Sequence, residues 1–356
     1  MCTFVEKMCT CAHFDMCTMC TCQNVVTVIR EFQYRGTKDT AGKMELHDII
    51  NFSKYPIQNL NTAKAKSLVA ECQQKMHLDG SLLLESFIKP EHIAQMCAEC
   101  TGLEAHRRLE IVNVMKRDPW VNKDIYQKEE ALPKDHPALF RMPQDVHAVA
   151  SDLVPQDSLL RRVYDSELVM NFVAAVVNQP KIYQYGDEFQ ALNVMYMRDG
   201  GSRAWHYDGS DYVVTLMLQA SDVGGDFEYA PFIRGEQVGV ENFDQVQQLF
   251  RGNWATKTTR CMAGALAIFN GRRSLHRVRT VFGKKERIQS VLSYAKTSGE
   301  HSTPEKNVTL YGKRVEDIYE ARGITLNRNA SGEVVVAANT PTINQGPSSM
   351  RTMSKL

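Results

Sequence analysis

The spacing of hydrophobic residues changes character near Pro180. Before it, apolar positions recur at helical intervals. In 63–76 they fall at Ala65, Leu68, Val69, Cys72 and Met76, close to one stripe of a 3.6-residue period. Asp79-Gly80 ends that helix, and 81–88 reads as a strand. Lys89-Pro90-Glu91 opens a second helix, with proline in the first turn and an acid near the N-terminus, running to about Arg108. Residues 116–157 are rich in Pro, Asp and Lys and read as a long connection with short helical pieces. In 158–178 the apolar side is Leu160, Val163, Leu168, Phe172 and Val176, which fits a helix pair or one helix with a break.

After Pro180 the texture is that of strands. Candidates are 181–185, 191–197, 212–218, 226–229, 264–269 and 288–294, with glycine turns at Asp199-Gly200-Gly201 and Val223-Gly224-Gly225. A helical insertion is expected at 243–249 and a late helix at 315–322. Short strands with glycine turns predict a double-sheet barrel or jelly roll. The expected fold class is therefore α+β: a double-stranded β-helix (jelly-roll) core over 181–325, with an N-terminal helical buttress over 59–180. Residues 1–58 are expected to form a cysteine-rich, disordered extension with a lead-in segment, and 326–356 a disordered tail.

Composition narrows the functional classes. Lys+Arg number 42 against Asp+Glu 41, which argues against a broad nucleic-acid surface. No apolar run reaches the roughly 18 residues of a membrane span. The expected partner is a small-molecule substrate; oligomeric state is not legible. Six of the ten cysteines fall in the first 22 residues, so they do not form a framework spread through the fold, and a reducing compartment is expected. No basic-then-apolar secretory pattern opens the chain, which points to an intracellular, cytoplasmic protein. Ser354-Lys355-Leu356 would be a peroxisomal address if the chain is eukaryotic and that end native. Cys17 and Cys20 have CxxC spacing and with His13 could bind zinc or copper, but no second pair follows at finger-like spacing, so a disordered extension is preferred. Cys97 and Cys100, inside an expected helix, read as core packing rather than redox chemistry.

The chemistry centres on Trp205-His206-Tyr207-Asp208. On an extended strand, residues i and i+2 face the same way, so His206 and Asp208 would aim at one point. Alone, His-x-Asp is common, and an ordinary surface histidine is the plainer reading. His276 is the candidate third ligand. Two histidines and one carboxylate make the facial triad of non-haem Fe(II) oxygenases, which leaves positions open for a bidentate co-substrate and O2. The co-substrate expected is 2-oxoglutarate. Its distal carboxylate needs a buried cation, and Arg287, opening the 288–294 strand, suits that role, since guanidinium offers a bidentate fork and stays charged. The plainer alternative is a solvated charge, because Lys284, Lys285 and Glu286 precede it. Asn193 is favoured as a 2-oxoglutarate hydrogen-bond partner, since Asn in an apolar strand requires a partner. Asn193 and Tyr196 differ in strand parity, so only one should point inward. Arg203 and Arg273 are the substrate-binding candidates among several arginines that also include Arg198, Arg272, Arg277 and Arg279. Trp205 and Tyr207 are expected to pack rather than react.

Several stretches together resemble the 2-oxoglutarate/Fe(II)-dependent dioxygenase superfamily. They are Leu192-Asn193-Val194-Met195, Trp205-His206-Tyr207-Asp208, 214–219, Gly224-Gly225-Asp226-Phe227-Glu228-Tyr229, 269–278 and Tyr311-Gly312-Lys313. Within the superfamily they are similar to the branch of free-amino-acid halogenases and their hydroxylase relatives. The resemblance implies a double-stranded β-helix, Fe(II), 2-oxoglutarate and O2, release of succinate and CO2, and an amino-acid-like substrate of secondary metabolism. In halogenases of that branch a small residue replaces the carboxylate ligand and makes room for halide. Asp208 stands there in this chain, which disfavours halogenation and leaves hydroxylation, desaturation or ring closure. Kainoid synthases, which close a pyrrolidine ring on an N-prenylated glutamate, are similar in general layout. Two alternatives stand beside this reading: a zinc hydrolase using the same three ligands, and a non-catalytic jelly-roll binding protein.

Overall fold

The computed structural model describes residues 46–114, 132–237, 239–329 and 334–337. The expectations for the first 45 residues, including the cysteine cluster, and for the Ser-Lys-Leu end lie outside these residues.

Two antiparallel sheets form the core. The larger has seven strands in the order Ser81–Leu84, Leu266–Phe269, Val213–Gln219, Arg287–Leu292, Leu192–Met197, Arg141–Val149, Arg108–Val114. The smaller has four, in the order Lys257–Thr259, Phe227–Ala230, Leu275–Val278, Arg203–His206. Neighbours on the sheets are far apart in sequence, as in a jelly roll: Leu192–Met197 pairs with Arg287–Leu292 in the register Asn193↔Val291. Alternation along each strand sends one set of side chains inward. Asn193, Met195 and Met197 face the space between the sheets, whereas Tyr196 turns outward, its hydroxyl donating to Cys100 O at 2.7 Å with the Arg107 guanidinium stacked 3.8 Å from its ring.

The helical buttress is present. Helix Ala63–Asp79 starts at Thr62, whose hydroxyl accepts from the Ala65 N–H, and stops at Gly80, in the left-handed region at φ +64°. It packs on helix Glu167–Val176, where Gln73 Nε2 donates to Ala175 O at 2.8 Å. The expected helix pair over 158–178 is Leu159–Tyr164 and Glu167–Val176, each opened by a serine cap. Helix Pro90–Thr101 lies against strand Val213–Gln219, with Cys97 Sγ donating to Leu218 O. Cys97 and Cys100 are free thiols, and burial pushes Cys100 up to about 12, consistent with packing rather than redox work.

Several boundaries differ from expectation. The helix expected to reach Arg108 ends at Thr101. Arg108–Val114 and Arg141–Val149, expected as helix end and connection, are paired strands that extend the large sheet. The support region over 59–180 is thus not wholly helical: its Pro-, Asp- and Lys-rich middle obscured two β-rich arms. The expected strand over 81–88 pairs only over Ser81–Leu84. The lead-in is packed rather than loose, since Ile49 and Ile50 are fully buried and Ile50 bridges to Ile88. Beyond the core, helix Pro304–Tyr311 was not foreseen, and Leu326–Arg328 pairs with Val334–Val336 where a tail was expected.

Candidate active site

The triad is assembled by sheet pairing. Strands Arg203–His206 and Leu275–Val278 are antiparallel neighbours, with His206 directly opposite His276. The two ring centroids stand 4.1 Å apart. Asp208 follows the end of its strand, and its amide donates to Gly271 O at 3.0 Å, which anchors it beside the rings. Asp208 Oδ1 lies 3.7 Å from His206 Nε2 and Oδ2 lies 3.3 Å from His276 Nε2. One ligand atom from each residue falls within 4.8 Å of the others, a cluster that could hold a metal ion.

The backbone sets which ring nitrogens are available. His206 Nδ1 lies 2.8 Å from Ala204 O, and His276 Nδ1 lies 2.9 Å from Ser274 O. A carbonyl only accepts, so each Nδ1 carries the proton and each Nε2 presents a lone pair. Burial, with His276 and the Arg203 guanidinium beside it, pushes the His206 pKa well below its ordinary value. Burial works against the Asp208 carboxylate, but His276, His206 and Arg203 outweigh it and hold it below the usual carboxylate range. Two imidazoles and a carboxylate are a donor set that a divalent transition metal takes. Phe269 meets the His276 ring edge-on at 4.8 Å and Phe227 tilts against it at 5.5 Å.

All three ligands line a cavity of about 310 Å³ between the sheets. Gln289 and Thr215 line its wall, and Gln289 Nε2 donates to Thr215 Oγ1 at 2.8 Å. Gln289 Oε1 in turn accepts from Arg287 Nη1 at 2.9 Å. Arg287 is 2 % exposed; its Nε donates to Gly225 O, and its Nη2 has no hydrogen-bond partner. A buried guanidinium with an unused donor, next to two polar groups on the cavity wall, is a cradle for an anion. The solvated-charge alternative for Arg287 is incompatible with this burial. Asn193 faces the cavity, with Oδ1 accepting from the Tyr311 hydroxyl and Nδ2 donating to Gln190 O at 3.2 Å.

Residues 138–311 match the family model described as Halogenase D. The matched stretch contains His206, Asp208, His276 and Arg287. No curated protein matches the sequence. In outline the chain is similar to several solved structures. One is a 2OG-Fe(II) oxygenase family oxidoreductase from Burkholderia pseudomallei (13 % identity, 65 % of this chain and 92 % of that one, TM-score 0.42). Another is AviO1 from Streptomyces viridochromogenes (15 %, 64 % and 95 %, TM-score 0.43). A third is HygX from Streptomyces hygroscopicus, solved with nickel, 2-oxoglutarate and hygromycin B (13 %, 64 % and 87 %, TM-score 0.41).

The other sequence candidates are distributed unevenly. Arg203 lines the cavity, and its Nε donates to His206 Nε2 at 3.3 Å. Arg273 does not line it: the guanidinium stands 4.9 Å over the Phe232 ring and 3.8 Å from Glu236. Arg277 and Arg279 converge on Glu228, Arg198 pairs with Glu286 and Glu104, and Arg272 pairs with Asp211. Trp205 packs beneath Arg277 in a cluster with Ile233, Val246 and Leu275. Gln289 is not among the residues expected from sequence. Gln289 was findable as the residue two beyond Arg287 on the same strand face. Tyr311 and Lys306 come from the unforeseen helix; Tyr311 is signalled only by the resemblance of Tyr311-Gly312-Lys313, and Lys306 carries no local signal.

Proposed function

We propose that the protein oxidises an unactivated C–H bond of a small amino-acid-like substrate, consuming O2 and 2-oxoglutarate and releasing succinate and CO2. His206, Asp208 and His276 would hold Fe(II). Arg287, with Gln289 and Thr215, would hold the distal carboxylate of 2-oxoglutarate, and Asn193 would hydrogen-bond to the co-substrate or the substrate beside it. Bound iron supplies O2 activation coupled to decarboxylation of the 2-oxo acid. The chain supplies the rest: two imidazoles fixed as Nε2 donors by their own backbone, an anion cradle in the same cavity, and phenylalanine rings that shield His276 from water.

The observation that carries this reading is one cavity lined by the triad and by the Gln289–Thr215 pair, with the buried Arg287 hydrogen-bonded to Gln289 from behind the wall and its Nη2 unsatisfied among the described residues. A zinc hydrolase would use the triad but gives no reason for a buried, under-satisfied arginine beyond it. A carboxylate at position 208 fills the place where a halogenase of the similar branch takes halide, so the favoured outcome is hydroxylation, desaturation or ring closure. The cavity wall supports a partly apolar substrate: Leu82, Met195, Val213 and Leu310 share it with the polar Asn193, Tyr311 and Lys306. Kainoid-type ring closure is the most specific form of this proposal.

The test is anaerobic addition of Fe(II) and 2-oxoglutarate, read as a weak visible charge-transfer band. The band is expected in the native chain and in His301→Ala, and is expected to vanish in His206→Ala. Tight stoichiometric zinc with no such band would establish the hydrolase reading instead. Succinate release across a panel of amino acids and their N-substituted derivatives then finds the substrate.

A further inference from the structure

Arg203 Nε donates to His206 Nε2, the lone pair that a metal at the triad requires. One lone pair serves one acceptor role at a time. The hydrogen bond and a metal–nitrogen bond at this atom therefore exclude each other. The guanidinium also presses its charge on both His206 and Asp208, so it sits against the ligand set rather than merely near it. Its own strand fixes its root three residues before His206, and it lines the cavity.

We propose that metal binding turns the Arg203 guanidinium off His206 and into the cavity, where it grips the 2-oxo carboxylate that chelates the metal. Arg203 would then be a co-substrate residue rather than a substrate residue. A guanidinium beside a divalent cation is repelled unless an anion lies between them. A chelating 2-oxo acid supplies that anion, since it uses the keto oxygen and one carboxylate oxygen and leaves the second carboxylate oxygen as an acceptor. Arg287 waits at the other end of the same molecule, on a strand of the opposite sheet. The co-substrate would thus be held at both ends by arginines, and the near one would become available only after metal has bound. This inference rests on the proposed function and adds an order of binding to it.

The first step compares three proteins: the native chain, Arg203→Met and Arg203→Lys. Each is titrated anaerobically with Fe(II) alone against a chromophoric chelator. Arg203→Met is expected to bind iron roughly tenfold more tightly, because a competing charged hydrogen bond is gone. Arg203→Lys should fall between, keeping the charge but not the Nε donor; it also keeps the test readable if the methionine variant misfolds. The iron-loaded proteins are then titrated under argon with 2-oxoglutarate and with 2-oxobutyrate, which has the same chelating end and no distal carboxylate. Loss of Arg203 is expected to weaken both acids roughly tenfold, whereas Arg287→Met weakens 2-oxoglutarate alone. Unchanged or weaker iron binding in both Arg203 variants, or unchanged 2-oxobutyrate binding, overturns the inference while the band in the native chain leaves the oxygenase reading standing. Absence of the band in the native chain with either acid sinks both.

Discussion

A β-carbon built on Gly271 would stand 2.8 Å from Asp208 Cβ and would overlap Asp208 Oδ2. The backbone of the Asn270-Gly271 turn and the metal-facing carboxylate thus occupy one tight space, joined by the Asp208 amide donating to Gly271 O. Only a residue without a side chain admits the carboxylate. Gly271→Ala is therefore expected to push Asp208 off the two Nε2 atoms and to cost roughly 10- to 100-fold in iron affinity, the range seen when support for a metal ligand is lost. Anaerobic iron titration checks it. Unchanged affinity would mean that Asp208 is not a ligand.

Arg287 carries a second expectation, with opposite signs for stability and binding. Its guanidinium is buried and under-satisfied, and burial lowers its pKa. Replacing such a charge with an apolar side chain of similar length is often neutral or stabilising. Arg287→Met should therefore unfold at the same or a higher temperature than the native chain without co-substrate. It should lose at least tenfold in 2-oxoglutarate affinity, the worth of one charged hydrogen bond. Calorimetry and the charge-transfer titration together separate the two effects.

Strand parity between Asn193 and Tyr196 yields a contrasting pair. Tyr196→Phe removes one donor to the buried Cys100 carbonyl, which keeps the Leu103 amide, and should cost about 1 kcal/mol of stability, with co-substrate binding intact. Asn193→Ala should do the reverse, since its amide lines the cavity: little loss of iron, weaker binding of ligand. Denaturant unfolding beside ligand titration reads both. Equal effects on ligand binding would contradict the inward and outward assignment.

Glu228 sets an acid limit. Burial raises its pKa, but hydrogen bonds from Arg279, Thr256 and Arg277 outweigh that and bring it down to about 2. An unfolded glutamate titrates near 4.3. A depressed pKa means stabilisation that is complete above the unfolded value and is lost as pH falls toward the folded one. Thermal unfolding should thus show a loss between about pH 4 and 2 that is reduced in Glu228→Gln. The variant should also be less stable at neutral pH, because Arg277 and Arg279 both lose their shared carboxylate. A native profile with no decline in that window would rule out this contribution.

Much of this architecture could be read from the chain alone, and the gaps have physical causes. Short apolar runs with glycine turns placed Leu192–Met197, Val213–Gln219 and Leu266–Phe269. Period-2 spacing brought His206 and Asp208 to one point, and resemblance tied them to His276, which the sheet register sets directly opposite. What escaped was long-range. Arg108–Val114 and Arg141–Val149 are strands by virtue of each other, and a charged, proline-containing excursion separated them beyond any local window. Helix Pro304–Tyr311 has few residues and a mixed face, so its pattern is weak, yet Tyr311 reaches Asn193. The arginines near the triad look alike in sequence; only the positions of Glu228, Asp211, Glu286 and Glu236 separate those in surface pairs from Arg203 at the cavity.

Both imidazoles of the triad are held by the carbonyl two residues earlier in the chain. His206 uses Ala204 and His276 uses Ser274, and neither needs a partner from elsewhere in the fold. The tautomer is thus a property of a three-residue extended segment rather than of the surrounding protein. Such a segment is portable: grafted onto another edge-paired strand, it should arrive with its coordinating nitrogen already exposed.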